Sequence, residues 1–287
     1  MVSDLVMVLG SGGMLGSDLV SCLQEMNANV APLYGSDLDI ANEEQVYKII
    51  AECRPSTVIN CAAYTNVANA ESESEIANLV NGTALKYLAG ATHKYNARLI
   101  HFSTDYVFDG FKGMPYVESD NALPLNIYGK SKLNGEKLCM GGNRNSVIFR
   151  LQWLWGKHGV SFIRKIASNI DSYGEAGVVS DQYGCPTSTL FVSKIVLECL
   201  RLKDMRGLFH VSHDNHASWY DFAVEAASLI GFPDGVVKST STIHGSVIRP
   251  MDTRLNNEKL KKALGVKSLG DWRVSMREYL EKFQSFY

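Results

Sequence analysis

The sequence predicts an α/β fold in which a doubly wound parallel sheet is followed by a smaller C-terminal α/β region. Short apolar runs alternate with helix-length segments through the first half of the chain, a glycine-rich turn directly follows the first run, and the alternation loosens after Leu151. Strands that are apolar at every position, rather than at alternate ones, must be covered on both faces. Helical crossovers between parallel strands supply that cover.

The first strand is Leu5–Leu9 (LVMVL), followed by the glycine turn and a helix to about Met26. Asn29–Leu33 is the second strand, with a helix over about Asn42–Glu52 after it. Ser56–Asn60 (STVIN) is the third strand, and a long helical stretch runs through Leu79–Tyr95. Arg98–Ser103 (RLIHFS), a helix around Tyr128–Cys139 and Ser146–Leu151 (SVIFRL) complete a first domain placed at residues 1–150. Beyond it, helical patterns at Phe162–Ile170, Leu190–Leu202, Ser218–Leu229, Asn256–Leu264 and Asp271–Phe286 mix with short strands such as GLFHVS. Ser218, three residues before Asp221, has the spacing of a capping box and marks a helix start. Residues 151–287 therefore form most of a second domain, with a return of the chain to the first around 185–212.

At 287 residues and 46% hydrophobic, the chain can bury a full core. A net charge of -2 without a long basic run gives no electrostatic case for nucleic acid or an anionic membrane. No apolar run approaches the ~20 residues of a transmembrane helix. The opening MVSDLVMVLG lacks the basic start and cleavage site of a secretory signal. Cys22, Cys53, Cys61, Cys139, Cys185 and Cys199 are scattered without CxxC spacing. That predicts reduced, mostly buried thiols in a cytoplasmic protein, rather than disulfides or zinc.

In GSGGMLG, Gly10, Gly13 and Gly16 fall at G-x-x-G-x-x-G spacing, with Gly12 between them. A strand, a glycine turn and a helix let a pyrophosphate approach backbone N–H groups where the helix dipole favours an anion. On the first βα turn this predicts a Rossmann-type dinucleotide site. The acid expected about 20 residues on is not cleanly placed, because Asp37 and Asp39 are both near. No arginine follows the second strand to clamp a 2′-phosphate, which favours NADH, or tolerance of both cofactors, over strict NADPH use.

Tyr128 and Lys132 stand at i and i+4 in NIYGKSKLNGEK and share a helix face. A phenol titrates near 10, and a nearby ammonium lowers that value and lets the pair exchange a proton with a substrate oxygen. The strand before them ends in STDY, so Thr104 arrives at a carboxyl-terminal strand end, where open parallel sheets bind ligands. Ser103 and Asp105 read as shaping that turn.

Together these residues resemble the extended short-chain dehydrogenase/reductases that act on nucleotide sugars. RPSTVINCAAYTNVANAE, STDYVFDG, IYGKSKLNGE, SDQYGCPT and RPMDTRL, in that order, resemble the signature segments of the dTDP-4-dehydrorhamnose reductase family over nearly the whole chain. The resemblance implies reduction of the C4 keto group of a nucleotide-linked 4-keto-6-deoxysugar by NADPH or NADH, giving dTDP-L-rhamnose in the parent family. Tyr128 would protonate the developing alkoxide. Lys132 would lower the Tyr128 pKa and hold the nicotinamide ribose, and Thr104 would bond the carbonyl oxygen. Gly10, Gly12, Gly13, Met14, Leu15, Gly16, Cys61, Ala62, Ala63, Tyr64 and Ser103 would line the cofactor cleft, with Asp39 and Ile40 by the adenine. Tyr106, Trp153, Gln182 and Arg249 would face the sugar nucleotide, Arg249 at the diphosphate. A homodimer is an assembly this family allows.

Three departures from the family pattern stand out: Ala68 where an acid is usual, Gln152 where Ser or Thr precedes the tryptophan, and Val160-Ser161-Phe162 in place of N-N-F. The last two fall where the sugar nucleotide is expected and leave its base and sugar open. Of Trp153 and Trp155, at strand spacing, one reads as facing the core and the other a pocket. His210, His213 and His216 read as a strand end and a turn before the Ser218 helix rather than a metal site. Two rival activities share this family: epimerisation of another nucleotide sugar with retained NAD, and a regulatory subunit of a methionine adenosyltransferase.

Overall fold

The computed structural model describes residues 4–159, 161–242, 245 and 247–282; Val160 and the end of the expected last helix lie outside them. The chain runs β1 (Val6–Leu9), α1 (Met14–Glu25), β2 (Val30–Leu33), α2 (Glu43–Cys53), β3 (Thr57–Asn60), α3 (Ser74–Asn78), α4 (Ala84–Lys94), β4 (Arg98–Thr104), α5 (Ile127–Gly142) and β5 (Ser146–Leu151). It continues with β6 (Leu154–Trp155), α6 (Phe162–Tyr173), β7 (Ala176–Val179), β8 (Tyr183–Gly184), β9 (Thr187–Ser188), α7 (Thr189–Arg201), β10 (Gly207–Val211), β11 (Ala217–Ser218), α8 (Trp219–Leu229), β12 (Val237–Thr240), α9 (Glu258–Leu264) and α10 (Trp272–Lys282).

Six strands form one parallel sheet in the order β10-β5-β4-β3-β1-β2. Side-chain alternation divides its apolar positions between two layers. Val6 and Val8 pack with α1, α7 and α9, whereas Met7 and Leu9 pack with α2 and α4. The sheet is therefore buried on both faces, as uniformly apolar strands require. After β5 the chain leaves the sheet and re-enters it with β10, whose register on β5 runs from Gly207–Val147 to Val211–Leu151. A separate cluster around Trp155, Phe222, Trp272 and Tyr279 joins β6, α8 and α10, and α6 packs with α8 and the β7–β12 pair.

Two details place the site. Leu9, Asn60 and His101 lie in one register row, and β4 runs three residues beyond it, carrying Ser103 and Thr104 past the ends of β1 and β3. The helix expected from Leu79 starts earlier, at α3, and passes into α4 through a wide π-turn at Leu79–Thr83. Gly82 permits this because a Cβ there would stand 2.7 Å from Asn134 of α5. The turn aims Asn81 at both neighbours: its amide bonds the Tyr64 backbone on both sides and Ser131 of α5 at 3.1 Å. Ser218 and Asp221 form the capping box that their spacing implies. Among the described residues no helix is long and apolar enough to cross a membrane.

Candidate active site

The glycine turn is built by close backbone approach. Gly10 has φ +73, and a Cβ on it would lie 2.7 Å from the Ala62 nitrogen. A Cβ on Gly16 would lie 2.2 Å from the Gly10 carbonyl oxygen, so the start of α1 is pressed onto the turn. Gly13 is the N-cap and offers no side-chain cap, leaving first-turn N–H groups open to an anion. Gly10, Gly12, Gly13, Met14 and Leu15 form one wall of a cleft of about 790 Å³. Cys61, Ala62 and Ala63 form the floor, and Tyr34 and Gly35 lie at the end of β2. A flat dinucleotide fits this cradle, because the wall is backbone and the glycines keep side chains out of it.

The opposite wall carries hydroxyl, phenol and ammonium groups. Ser103, Thr104 and Tyr106 from the end of β4 meet Tyr128 and Lys132 from α5, with Gln152 and Trp153 beside them. Asn126 caps α5 by accepting the Gly129 N–H at 2.8 Å, and Glu71 accepts the Ile127 N–H at 2.8 Å. Gly129 lets the helix start press on the 105–107 turn, since a Cβ there would sit 2.2 Å from the Tyr106 oxygen. That contact sets the Tyr106 and Tyr128 rings edge to face at 5.9 Å.

Lys132 is buried. Its Nζ donates to the Phe102 carbonyl at 2.6 Å and lies 3.4 Å from His101 Nε2. Burial lowers its pKa to about 8. His101 in turn meets Asn60 at 3.3 Å, and Asn60 Oδ1 accepts the Ala62 N–H, so the floor and the lysine belong to one network. Burial beside Lys132 keeps His101 neutral. The expected lowering of the Tyr128 pKa by Lys132 is not what this geometry gives. The lysine's partners are a carbonyl and a histidine, and burial instead raises the phenol above its usual 10, with a Thr104 hydrogen bond opposing. A phenol held protonated is an acid, not a base.

The other expected residues divide. Gln182 and Arg249 line a second pocket of about 370 Å³ with Phe162 and Lys165, and Tyr106 and Trp219 border both cavities. Trp153 adopts φ +40, a left-handed conformation unusual for a bulky residue, and stacks on Trp219 at 3.8 Å. Trp155 is buried against Tyr279 and Phe222. Gly16 lies under the turn rather than in the cleft. Asp39 and Ile40 do not line it: Asp39 is exposed and accepts the Ala41 N–H, while Ile40 belongs to the core. Tyr64 points outward to Glu73 at 2.6 Å. His210 is buried in β10, and among the described residues no group of three or more His, Cys, Asp or Glu side chains converges. All six cysteines are free.

Sequence reasoning missed the buried support. Glu136 receives Arg150 in a two-pronged pair at 2.8 and 2.7 Å and Ser103 Oγ at 2.5 Å. Its spacing, one turn beyond Lys132 on the same face, was the available signal. For Trp219 and Asp105 there was none. Against known proteins, the model of the RmlD substrate binding domain family matches residues 4–285. The chain belongs to that family. This family member is 35% identical over 280 residues to a dTDP-4-keto-6-deoxy-D-glucose reductase of Streptomyces niveus, covering 96% of each chain. It is 32% identical to the dTDP-4-dehydrorhamnose reductase of Escherichia coli, over 96% of this chain and 97% of that one. A dTDP-4-dehydrorhamnose reductase structure from Clostridium acetobutylicum superposes with a TM-score of 0.93 at 35% identity, over 98% and 99% of the two chains. Another from Bacillus anthracis, in complex with NADP, gives 0.93 at 30% identity, over 98% and 99%.

Proposed function

We propose that the protein reduces the C4 keto group of a nucleotide-linked 4-keto-6-deoxysugar with NADPH or NADH, converting dTDP-4-dehydro-L-rhamnose to dTDP-L-rhamnose. The observation that carries this reading is the meeting of Thr104 and Tyr128 where the dinucleotide-shaped cleft opens, past Tyr106 and Trp219, into the second pocket. Gly10, Gly12, Gly13, Met14 and Leu15 hold the cofactor's phosphates, Cys61, Ala62, Ala63 and Ser103 border it, and Lys132 holds the nicotinamide ribose. The reduced nicotinamide, when bound, supplies the hydride. Tyr128 gives its proton to the oxygen that becomes an alkoxide, and its raised pKa keeps that proton in place at neutral pH. Thr104 hydrogen-bonds the same oxygen. Tyr106, Trp153, Gln182 and Arg249 hold the sugar nucleotide, and Arg249 together with Lys165 suits the diphosphate.

In this reading residues 1–150, with the return at 185–212, bind the dinucleotide, and residues 151–287 mainly bind the sugar nucleotide. A homodimer in the cytoplasm belongs to the same proposal, and light scattering tests the first part. The function itself is tested by oxidation of NADPH and NADH against dTDP-, UDP-, CDP- and GDP-linked 4-keto-6-deoxysugars. Reduction of the dTDP substrate supports it, and no reduction of any refutes it. Tyr128→Phe should fold and bind cofactor but lose ~10²–10⁴ in turnover.

A further inference from the structure

Asp105 follows Thr104 at the end of β4 and is 2% exposed. The reduction as described has no task for its carboxyl, yet four donors surround it. Thr253 Oγ1 reaches Oδ2 at 2.5 Å, and Thr104 Oγ1 reaches Oδ1 at 3.0 Å. The Gln152 side chain and a backbone N–H complete the set. Thr104 also accepts the Tyr106 N–H at 3.2 Å, and it lines the same cleft wall as the Tyr128 phenol.

A hydroxyl has one proton and two lone pairs, so these contacts cannot all be satisfied in the same sense. Facing an ionised Asp105, Thr104 must direct its proton to the carboxylate. One lone pair then takes the Tyr106 N–H, and Thr104 has no proton to offer a carbonyl. When Asp105 is protonated, it donates to Thr104 instead. Thr104 then holds Asp105 and Tyr106 on its lone pairs and points its own proton into the cleft.

We propose that Asp105 is a positioning residue that sets the direction in which Thr104 donates, turning its hydroxyl toward the reacting carbonyl only when the Asp105 carboxyl is protonated. The inference rests on the reductase reading and deepens it. Burial holds the Asp105 carboxyl up at about 6 despite its donors, within reach of a working pH. The titratable and charged groups facing it are Tyr106 on its own turn and Tyr128 from α5. Arg249 acts on the neighbouring Tyr106, and the Asp252–Arg254 pair flanks Thr253 in the chain.

The test is single-turnover reduction of dTDP-4-dehydro-L-rhamnose by NADPH-loaded enzyme from about pH 5 to 8. The wild-type rate should fall about tenfold per unit above the Asp105 midpoint. Asp105→Asn donates to Thr104 at every pH and should flatten that limb. Thr253→Val removes a donor to the carboxylate, so the limb should move to higher pH, which tests the idea even if Asp105→Asn does not fold. Lys132 titrates near 8 and gives a separate limb in all three proteins. A wild type without the lower limb, an Asp105→Asn variant that keeps it, or a Thr253→Val variant that leaves it in place overturns the inference and leaves the reductase reading standing. A wild type that reduces no such sugar overturns both.

Discussion

Replacing Arg150 by methionine should be among the most damaging single changes remote from the substrate. Arg150 on β5 and Glu136 on α5 are 4% and 1% exposed at their side chains, so solvent screens neither. Removing the guanidinium leaves the carboxylate buried with only Ser103 directly on it and Lys132 as the nearest cation acting on it. An uncompensated buried charge of this kind costs about 3–5 kcal/mol. The loss of Arg150 over the Phe108 ring, at 4.9 Å, adds about 0.5–2 kcal/mol. Because methionine keeps most of the volume, little of this is a cavity effect. Urea unfolding monitored by circular dichroism should show a lower midpoint at unchanged slope. The double variant Glu136→Leu with Arg150→Met removes both charges and should recover most of the loss. A cost below about 1 kcal/mol for Arg150→Met, or a double variant as unstable as the single one, would refute the assignment of this pair as the strut under α5.

The glycine turn and the buried histidine give two further tests. Gly16→Ala puts a Cβ 2.2 Å from the Gly10 oxygen, where only backbone can yield, whereas Gly12→Ala meets the movable Tyr34 ring at 3.2 Å. NADPH affinity by fluorescence titration should drop about 10–100-fold for the first and far less for the second, and equal losses contradict the packing argument. His210 is buried beside Arg150, which lowers its pKa to about 3. The unfolded chain therefore takes up a proton below about 6.5 that the folded one refuses, and stability falls as pH drops from there toward 3. Between pH 7 and 5 the wild type should lose about 2 kcal/mol more than His210→Asn, and parallel losses would show that this histidine does not drive the acid limb.

What could be read from the sequence, and what could not, follows from how far apart in the chain the deciding contacts lie. Strands apolar throughout, such as Val6–Leu9, announce themselves because both faces of the sheet must be covered, and local composition shows it. The glycine turn and the Tyr128–Lys132 pair were legible for the same reason: each is a pattern within one turn or one helix face. Asp39 and Ile40, expected by the adenine, stand outside the lining of the cleft. Asp37 ties back to the Tyr34 N–H at 2.8 Å, which closes the turn after β2 and leaves Tyr34 and Gly35 at the cleft, while Ile40 turns inward. The side chains bonded around Asp105 and Thr104 were beyond any local pattern. Asp105 and Thr253 are 148 positions apart, and Gln152 bonds the Thr253 backbone across 101. A spacing rule can say that Thr104 reaches the cleft, but the state of its one proton depends on which distant side chains the fold folds back onto it. The STDY turn therefore reads in sequence as one catalytic residue among turn-formers, and in three dimensions as a proton-directing unit whose partners arrive from the far end of the chain.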